Sequence, residues 1–434
     1  MPVTYRWTHG GRPRRAPILT RVISATAAVL LATTATTATP AAADQTRPSH
    51  RWTATWSTAT IASFPDFFGT PNWSGGFTDH SVRQAVRVSR GGSSVRVRLS
   101  NVYGTGPLRL TGASIGRAGD GAAVRPGSLR RLTFGGRAGT VVPAGKQASS
   151  DAVFLPVAAL ERLTVTWYFA DPTGPVTFHP LAIATSYRAA GDHVFDRAGD
   201  AFTETTQSFY YLSGVDVIGP SPRRDRGTVV AFGDSITDGA FSTPDADNRY
   251  PDELAERLVD AGRHLAVANA GIGGNRLLTD APGFGERATA RFQRDVLDQP
   301  GVRTVIVLLG INDIGLGVGP DAQPATADQL IDAHRALIRA AHARGVRAVG
   351  ATILPFAGVT FPGYYTEAGE RVRDAVNEWI RTSGEYDAVA DFERAVADPA
   401  DPDRLRADYD SGDGLHPNDP GMRAMAEAVP LRSL

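Results

Sequence analysis

The sequence predicts a fold in two parts: an all-β sandwich or jelly roll, then a doubly wound α/β domain built on a parallel sheet. Three observations carry this expectation. From Arg51 to about Ile218, apolar and polar residues alternate with a period of two, as in half-buried antiparallel strands. Beyond that point short apolar runs alternate with helical periods, which implies a parallel sheet covered by helices on both sides. The length, 434 residues, suits two domains rather than one. The expected boundaries are a leader over 1–43, the all-β domain over 44–219, a linker over 220–227 and the α/β domain over 228–434.

The leader comes first in the chain. Arg12, Arg14, Arg15 and Arg21 precede an Ala-rich apolar run from Val22 to Ala35, and Ala41-Ala42-Ala43 offers a small-residue cleavage site. This is the three-part pattern of a secretory signal, so the mature, secreted protein is expected to start near Asp44, with no integral membrane segment. Arg14-Arg15 leaves twin-arginine export as an alternative to the general route. Apolar residues make up 42% and charged residues 21%, ordinary for a chain with a sizeable core. A formal net charge of zero offers nothing to nucleic acid or to an anionic membrane. The absence of cysteine excludes disulfides, thiolate metal sites and a cysteine nucleophile.

In the all-β part, Val95, Val97 and Leu99 alternate with Arg96 and Arg98. Leu163, Val165, Trp167 and Phe169 alternate with Thr164, Thr166 and Tyr168. Each run predicts a strand with one apolar and one wet face. Gly104-Thr-Gly-Pro107 and Gly135-Gly136 punctuate the strands. Trp52, Trp56, Trp73, Phe67 and Phe68 are expected in the core, with a sugar-stacking platform as the alternative. Gly112-Ala-Ser-Ile-Gly116 matches the G-x-S-x-G nucleophile elbow in letters, but no helix pattern follows it, so Ser114 is expected to be structural. Pro220-Ser-Pro-Arg-Arg-Asp-Arg-Gly227, aperiodic and charged, reads as the linker.

In the second part, strands are expected at Val229–Phe232, Leu265–Asn269, Val305–Leu309, Ala348–Ile353 and Ala388–Phe392. Thr326 and Gln329 form a capping box ahead of a helical face made by Leu330, Ile331, His334, Leu337, Ile338 and Ala341. His334 on that face is expected to be a bonded core histidine. Val372, Ala375, Val376, Trp379 and Ile380 make a second such face. Gly271-Ile-Gly-Gly274 falls short of a dinucleotide fingerprint because Arg276 holds the third glycine position. Asp245-Ala-Asp-Asn248 lacks the Gly and Glu of a calcium loop and is expected to be a solvated turn. No H-E-x-x-H occurs, and neither a metal nor a cofactor is expected.

Four segments then line up at strand ends or in the last loop: Gly233-Asp-Ser-Ile-Thr237, Asn269-Ala-Gly-Ile-Gly-Gly-Asn-Arg276, Gly310-Ile-Asn-Asp313 and Asp410-Ser-Gly-Asp-Gly-Leu-His-Pro417. Ligands of open α/β sheets bind at the carboxyl ends of the strands. Acyl transfer needs a nucleophile, a base, a group to orient the base, and donors for an oxyanion, and these segments hold one of each. The Gly-Asp-Ser, Gly-x-Asn-Asp and Asp-x-x-His blocks, in that order over roughly Gly227 to Val429, resemble the SGNH/GDSL hydrolases. The resemblance implies Ser235 as nucleophile, His416 as general base and Asp413 as its orienter. It implies an oxyanion hole made of the Ser235 and Gly274 N–H groups and the Asn312 amide. Where the family often has Ser-Gly this chain has Gly273-Gly274, which leaves Gly271 and Gly273 as alternative donors. Asp408 and Asp410 are expected to be solvated loop carboxylates. The all-β part also looks like N-terminal sandwich domains of some secreted bacterial members, including esterases of plant polysaccharides.

The residue types fit that chemistry. A serine hydroxyl needs a base to take its proton, which histidine does best near neutral pH. Asp three residues before His can hold Nδ1 and leave Nε2 facing the serine. The long segment Pro355 to Tyr365 leaves a strand's carboxyl end, so Phe356, Phe361, Tyr364 and Tyr365 are expected to wall the site, or else to pack against the all-β domain. The expected function is hydrolysis of carboxylic esters of short acyl groups, acetyl on a polysaccharide being one example. A lipase or phospholipase is the alternative within hydrolases, and a surface-binding protein without catalysis is the alternative outside them. The oligomeric state is open.

Overall fold

The computed structural model describes residues 52–65, 72–219, 227–317 and 323–434. The expected leader, Phe67, Phe68 and all but the last residue of the expected linker lie outside the described residues. Residues from His50 to Leu434 form one compact unit.

The all-β part contains two principal antiparallel sheets. In one, Thr53–Ser57, Leu212–Ile218, Gly92–Asn101 and Val153–Val157 lie side by side, and Lys146–Ser149 also pairs with Gly92–Asn101. In the other the order is Glu204–Thr206, Ser186–Ala190, His80–Arg87, Arg162–Phe169, Gly112–Arg117 and Arg130–Arg131. Val95, Val97 and Leu99 from the first join Val82, Val86, Leu163, Val165 and Trp167 from the second in one hydrophobic cluster. Trp73 belongs to it, stacked on Tyr210 at 5.3 Å.

The faces expected to be wet are partly dry. Thr164 and Thr166 are buried because Arg83 lies under a loop, donating to Thr166 Oγ1 and to the carbonyls of Ala122, His193 and Asp196. Arg98 is buried too, paired with Asp216 at 3.2 Å and with Gln299 Oε1 at 2.7 Å. Gln299 belongs to the α/β part, so this polar face is an internal contact rather than a solvated surface. Asp245 and Asp247, expected in a solvated turn, also join the two parts: Asp245 accepts from Thr185 and Asp247 from Arg162.

The α/β part is a parallel sheet in the order Ala266–Gly271, Thr228–Gly233, Val302–Leu308, Arg347–Ala351, Ala388–Ala390. Every residue of Thr228–Gly233 is buried because its side chains serve two cores. Val230 and Phe232 belong to the cluster shared with Ala288–Phe292, Phe232 lying 5.3 Å from Phe292, ring centroid to centroid. Val229 and Ala231 face Tyr250–Asp260 and Asp419–Ala428. The capping box of Thr326 and Gln329 is formed. His334 is buried with Nδ1 2.7 Å from the Tyr386 hydroxyl, and burial depresses its pKa to about 4.

The open edge of this sheet, Ala266–Gly271, is covered by the all-β part. The Ser89 hydroxyl takes the Val267 N–H at 2.9 Å and donates to the Val267 carbonyl at 2.8 Å, while Ser57 Oγ donates to the Asn269 carbonyl at 3.1 Å. An unpaired strand edge invites pairing with another chain, and this cover removes it. Among the described residues, no helix is long and apolar enough to cross a membrane.

Candidate active site

The strand Thr228–Gly233 ends at the point where the strand order reverses, the place where ligands of open α/β sheets bind. A Cβ at Gly233 would lie 1.9 Å from Thr237 Oγ1 and 2.8 Å from the Leu308 carbonyl, so the sharp strand-to-helix turn needs glycine. Asp234 caps the four-residue helix Ser235–Asp238 by accepting from the Ile236 N–H at 3.1 Å. Ser235 therefore stands at the first helical position.

His416 reaches Ser235 from the other end of the chain. Its Nε2 is 2.8 Å from Ser235 Oγ and its Nδ1 is 2.6 Å from Asp413 Oδ2. Asp413 Oδ1 also accepts from the Leu415 and His416 amides at 2.9 and 2.8 Å. Burial alone would raise the Asp413 pKa, but the His416 ring and the two amides outweigh it and hold it at about 2. Asp410 shapes this loop, accepting from the amides of Gly412 and Gly414 at 2.9 and 3.0 Å, so it is not a free carboxylate.

The second and third strand ends meet beside the serine. Asn312 is buried; its Nδ2 donates to the Asn275 carbonyl at 3.1 Å, and its Oδ1 accepts from the Tyr364 hydroxyl at 2.9 Å. The amide carries two hydrogens, so one is left to donate elsewhere. Gly274 has φ +69, and a Cβ there would lie 2.1 Å from the Phe284 ring, which requires glycine on both counts. Asp313 ties the second and third segments together, accepting from Leu277 and Leu278 N–H at 2.8 and 3.0 Å. Burial raises its pKa to about 6 against those two bonds.

Arg291 was not legible in the sequence. It is fully buried and donates to the carbonyls of Gly233 and Ala270 at 2.8 Å each and to Asn275 Oδ1 at 3.0 Å, clamping the first two strand ends. Phe241 is a second such residue. It is 56% exposed, takes φ +67, and lies 5.1 Å from the His416 ring, centroid to centroid. In sequence it is one more loop aromatic, and no local signal points to it.

The expected aromatic wall divides. Phe361 is 46% exposed and free to face a ligand. Tyr364 is buried, and its hydroxyl holds Asn312 instead of lining a surface. Phe356 is buried and packs on Tyr365 at 5.2 Å, so these rings support the loop from within. The loop braces the His416 segment through the Thr360 N–H to the Asp413 carbonyl at 2.9 Å. Ser114, the elbow look-alike, is buried in the strand Gly112–Arg117 and donates to the Val194 carbonyl at 2.6 Å.

Asp234 yields a stability prediction. Its pKa is raised to about 7, by burial first and the nearby Asp313 charge next, against the bond from Ile236. An unfolded Asp titrates near ~4, so the folded state loses stability as pH rises from there through about 7. Asp234→Asn should therefore melt higher than the parent at pH 8, with the gap shrinking toward pH 4; thermal unfolding at both pH values checks it. An equal gap at both would show that the carboxyl is not held protonated.

Residues 231–424 match the model of the GDSL-like lipase/acylhydrolase family, and this match supports a carboxylic ester hydrolase. Similar solved structures include a GDSL-like lipase from Bacteroides thetaiotaomicron VPI-5482, 18% identical over 49% of this chain and 91% of that one, with a TM-score of 0.37. An aryl esterase from M. smegmatis is 18% identical over 48% and 99% of the two chains, TM-score 0.38. An acetyl xylan esterase is 20% identical over 46% and 96%, TM-score 0.34. No curated protein matches the chain.

Proposed function

We propose that the protein is a secreted serine esterase that removes short acyl groups, such as acetyl, from polysaccharide or related esters. The observation that carries the catalytic reading is the unbroken contact from Asp413 through His416 to Ser235, at 2.6 and 2.8 Å. In this reading His416 Nε2 takes the Ser235 proton as Oγ attacks the ester carbonyl, and the imidazolium then protonates the leaving alkoxide. Water repeats the sequence on the acyl-enzyme. Asp413, ionised down to about pH 2, holds the Nδ1–H and stabilises the imidazolium. The N–H groups of Ser235 and Gly274 and the spare Asn312 hydrogen receive the oxyanion.

The preference for short acyl groups rests on the site's surroundings. Phe241 beside His416 and Phe361 on the bracing loop are exposed aromatics, at 56% and 46%. Two separate rings suit a sugar or aromatic alcohol better than a long acyl chain. Export rests on the leader pattern of Arg12 to Ala43.

A fluorophosphonate should label Ser235 alone, as peptide mapping would show. Acetate should be released from acetylated xylan, and esters of one chromogenic alcohol should be cleaved faster with two-carbon than with long acyl groups. Labelling elsewhere would remove the catalytic assignment. Faster cleavage of long chains, with activation at lipid interfaces, would favour a lipase.

A further inference from the structure

His179 lies outside the four segments that the site draws on, in the strand Thr177–His179 of the all-β part. Its ring is buried, 2% exposed. Nδ1 is 2.8 Å from the Ala59 carbonyl. Nε2 is 3.0 Å from the Leu181 carbonyl and 2.9 Å from Asp238 Oδ1. Every one of these neighbours is an acceptor. A neutral imidazole carries one N–H and would set its lone pair against a carbonyl or a carboxylate. The contacts are satisfied only when both nitrogens carry hydrogen.

Asp238 is the last residue of the helix that starts at Ser235, and it is buried as well. Its other oxygen, Oδ2, accepts from the Gly273 N–H at 3.2 Å. The contacts therefore run from the all-β part, through a carboxylate in the nucleophile's own helix, to the residue before Gly274. Other charged groups line the same interface. Arg249 is bonded to Asp252 at 2.9 Å and lies 3.7 Å from Asp247, and Arg87 is paired with Glu256 at 2.7 Å. His179 is in hydrogen-bond contact with Asp238, and Arg249 also attracts that carboxylate from further off.

We infer that His179 is a constitutive imidazolium and a positioning residue for ester hydrolysis, pairing with the Asp238 side chain so that Asp238 fixes the Gly273–Gly274 turn of the oxyanion hole. Burial of an ion costs several kcal/mol unless it is paired and hydrogen-bonded, and here each charge has such a partner. Burial by itself would lower the pKa of the ring, but Asp238 and the two carbonyls outweigh it and raise it from the ordinary histidine value. The sign follows: this stabilisation is complete at acidic pH and is lost as pH rises through the raised pKa. The inference rests on Gly274 as an oxyanion donor, whereas the charge of the ring does not.

The charge is read directly by nitrogen NMR of the wild-type chain labelled at its nine histidines, with His179→Gln assigning the resonance. Two protonated ring nitrogens at pH 8 are expected at His179. A neutral tautomer there would overturn the inference, whatever the variants do. In kinetics, His179→Gln and Asp238→Asn should each lower kcat about 10- to 100-fold with KM little changed, a part of the ~10²–10³ that losing an oxyanion donor costs. The double variant should be no worse than the more damaged single one, because the pair acts as a unit. Lower melting temperatures with kcat intact would reduce His179 to a structural role and overturn the positioning half. Fluorophosphonate labelling of wild-type Ser235 tests the underlying site separately from the ring.

Discussion

Ser235→Ala and His416→Ala should each lower kcat by about 10⁶, and combining them should cost almost nothing more. Residues of a triad are grossly non-additive because removing either ends the same proton transfer, and the remaining turnover comes from the oxyanion donors and binding. The structure gives the reason here: Ser235 Oγ is 2.8 Å from His416 Nε2. Neither change should disturb the fold, since Ser235 is bordered by a cap made by Asp234 and the His416 loop is held by Asp410 and Asp413. A short-chain chromogenic ester measures the rates and far-UV circular dichroism checks the fold. Losses that multiply in the double variant would place His416 outside the relay.

The second large effect is expected at Asn312. Removing one oxyanion donor costs about 10²–10³ in kcat, and Asn312→Ala should show that loss with KM nearly unchanged, because the bond strengthens only in the transition state. Tyr364 extends the prediction. Its hydroxyl, 2.9 Å from Asn312 Oδ1, decides which end of the amide turns toward the substrate. Tyr364→Phe keeps the ring packed against Gly315 and Phe356 and removes only that bond. A net hydrogen bond is worth about 1 kcal/mol, so kcat should fall about 5- to 10-fold. With Asn312→Ala already present, Tyr364→Phe should add nothing. A change confined to KM would return Tyr364 to the role of a substrate-facing wall.

The parallel sheet, the strand ends and the blocks around Ser235, Asn312, Asp413 and His416 were legible because each is encoded locally. Buried parallel strands are continuous apolar runs, helices announce their caps, and a sharp turn such as that at Gly233 needs its residue type whatever packs around it. The spacing of Asp413 and His416 in one turn is local too, and the structure brings their segment to Ser235 across the fold.

Where polar side chains go when two layers close on each other is settled by tertiary packing, not by local sequence. Arg98, Thr164 and Thr166 alternate with apolar residues as solvent-facing groups do, yet all three are buried, because the second face of each sheet is also covered. Arg291 and His179 sit in unremarkable local sequence, and their roles arise from carbonyls and carboxylates contributed by segments remote in the chain. Tyr364, expected in a wall, is buried with its hydroxyl on Asn312 for the same reason. Periodicity records which face of an element is apolar. It does not record what lies against the polar face, and buried polar groups must find partners wherever the fold supplies them.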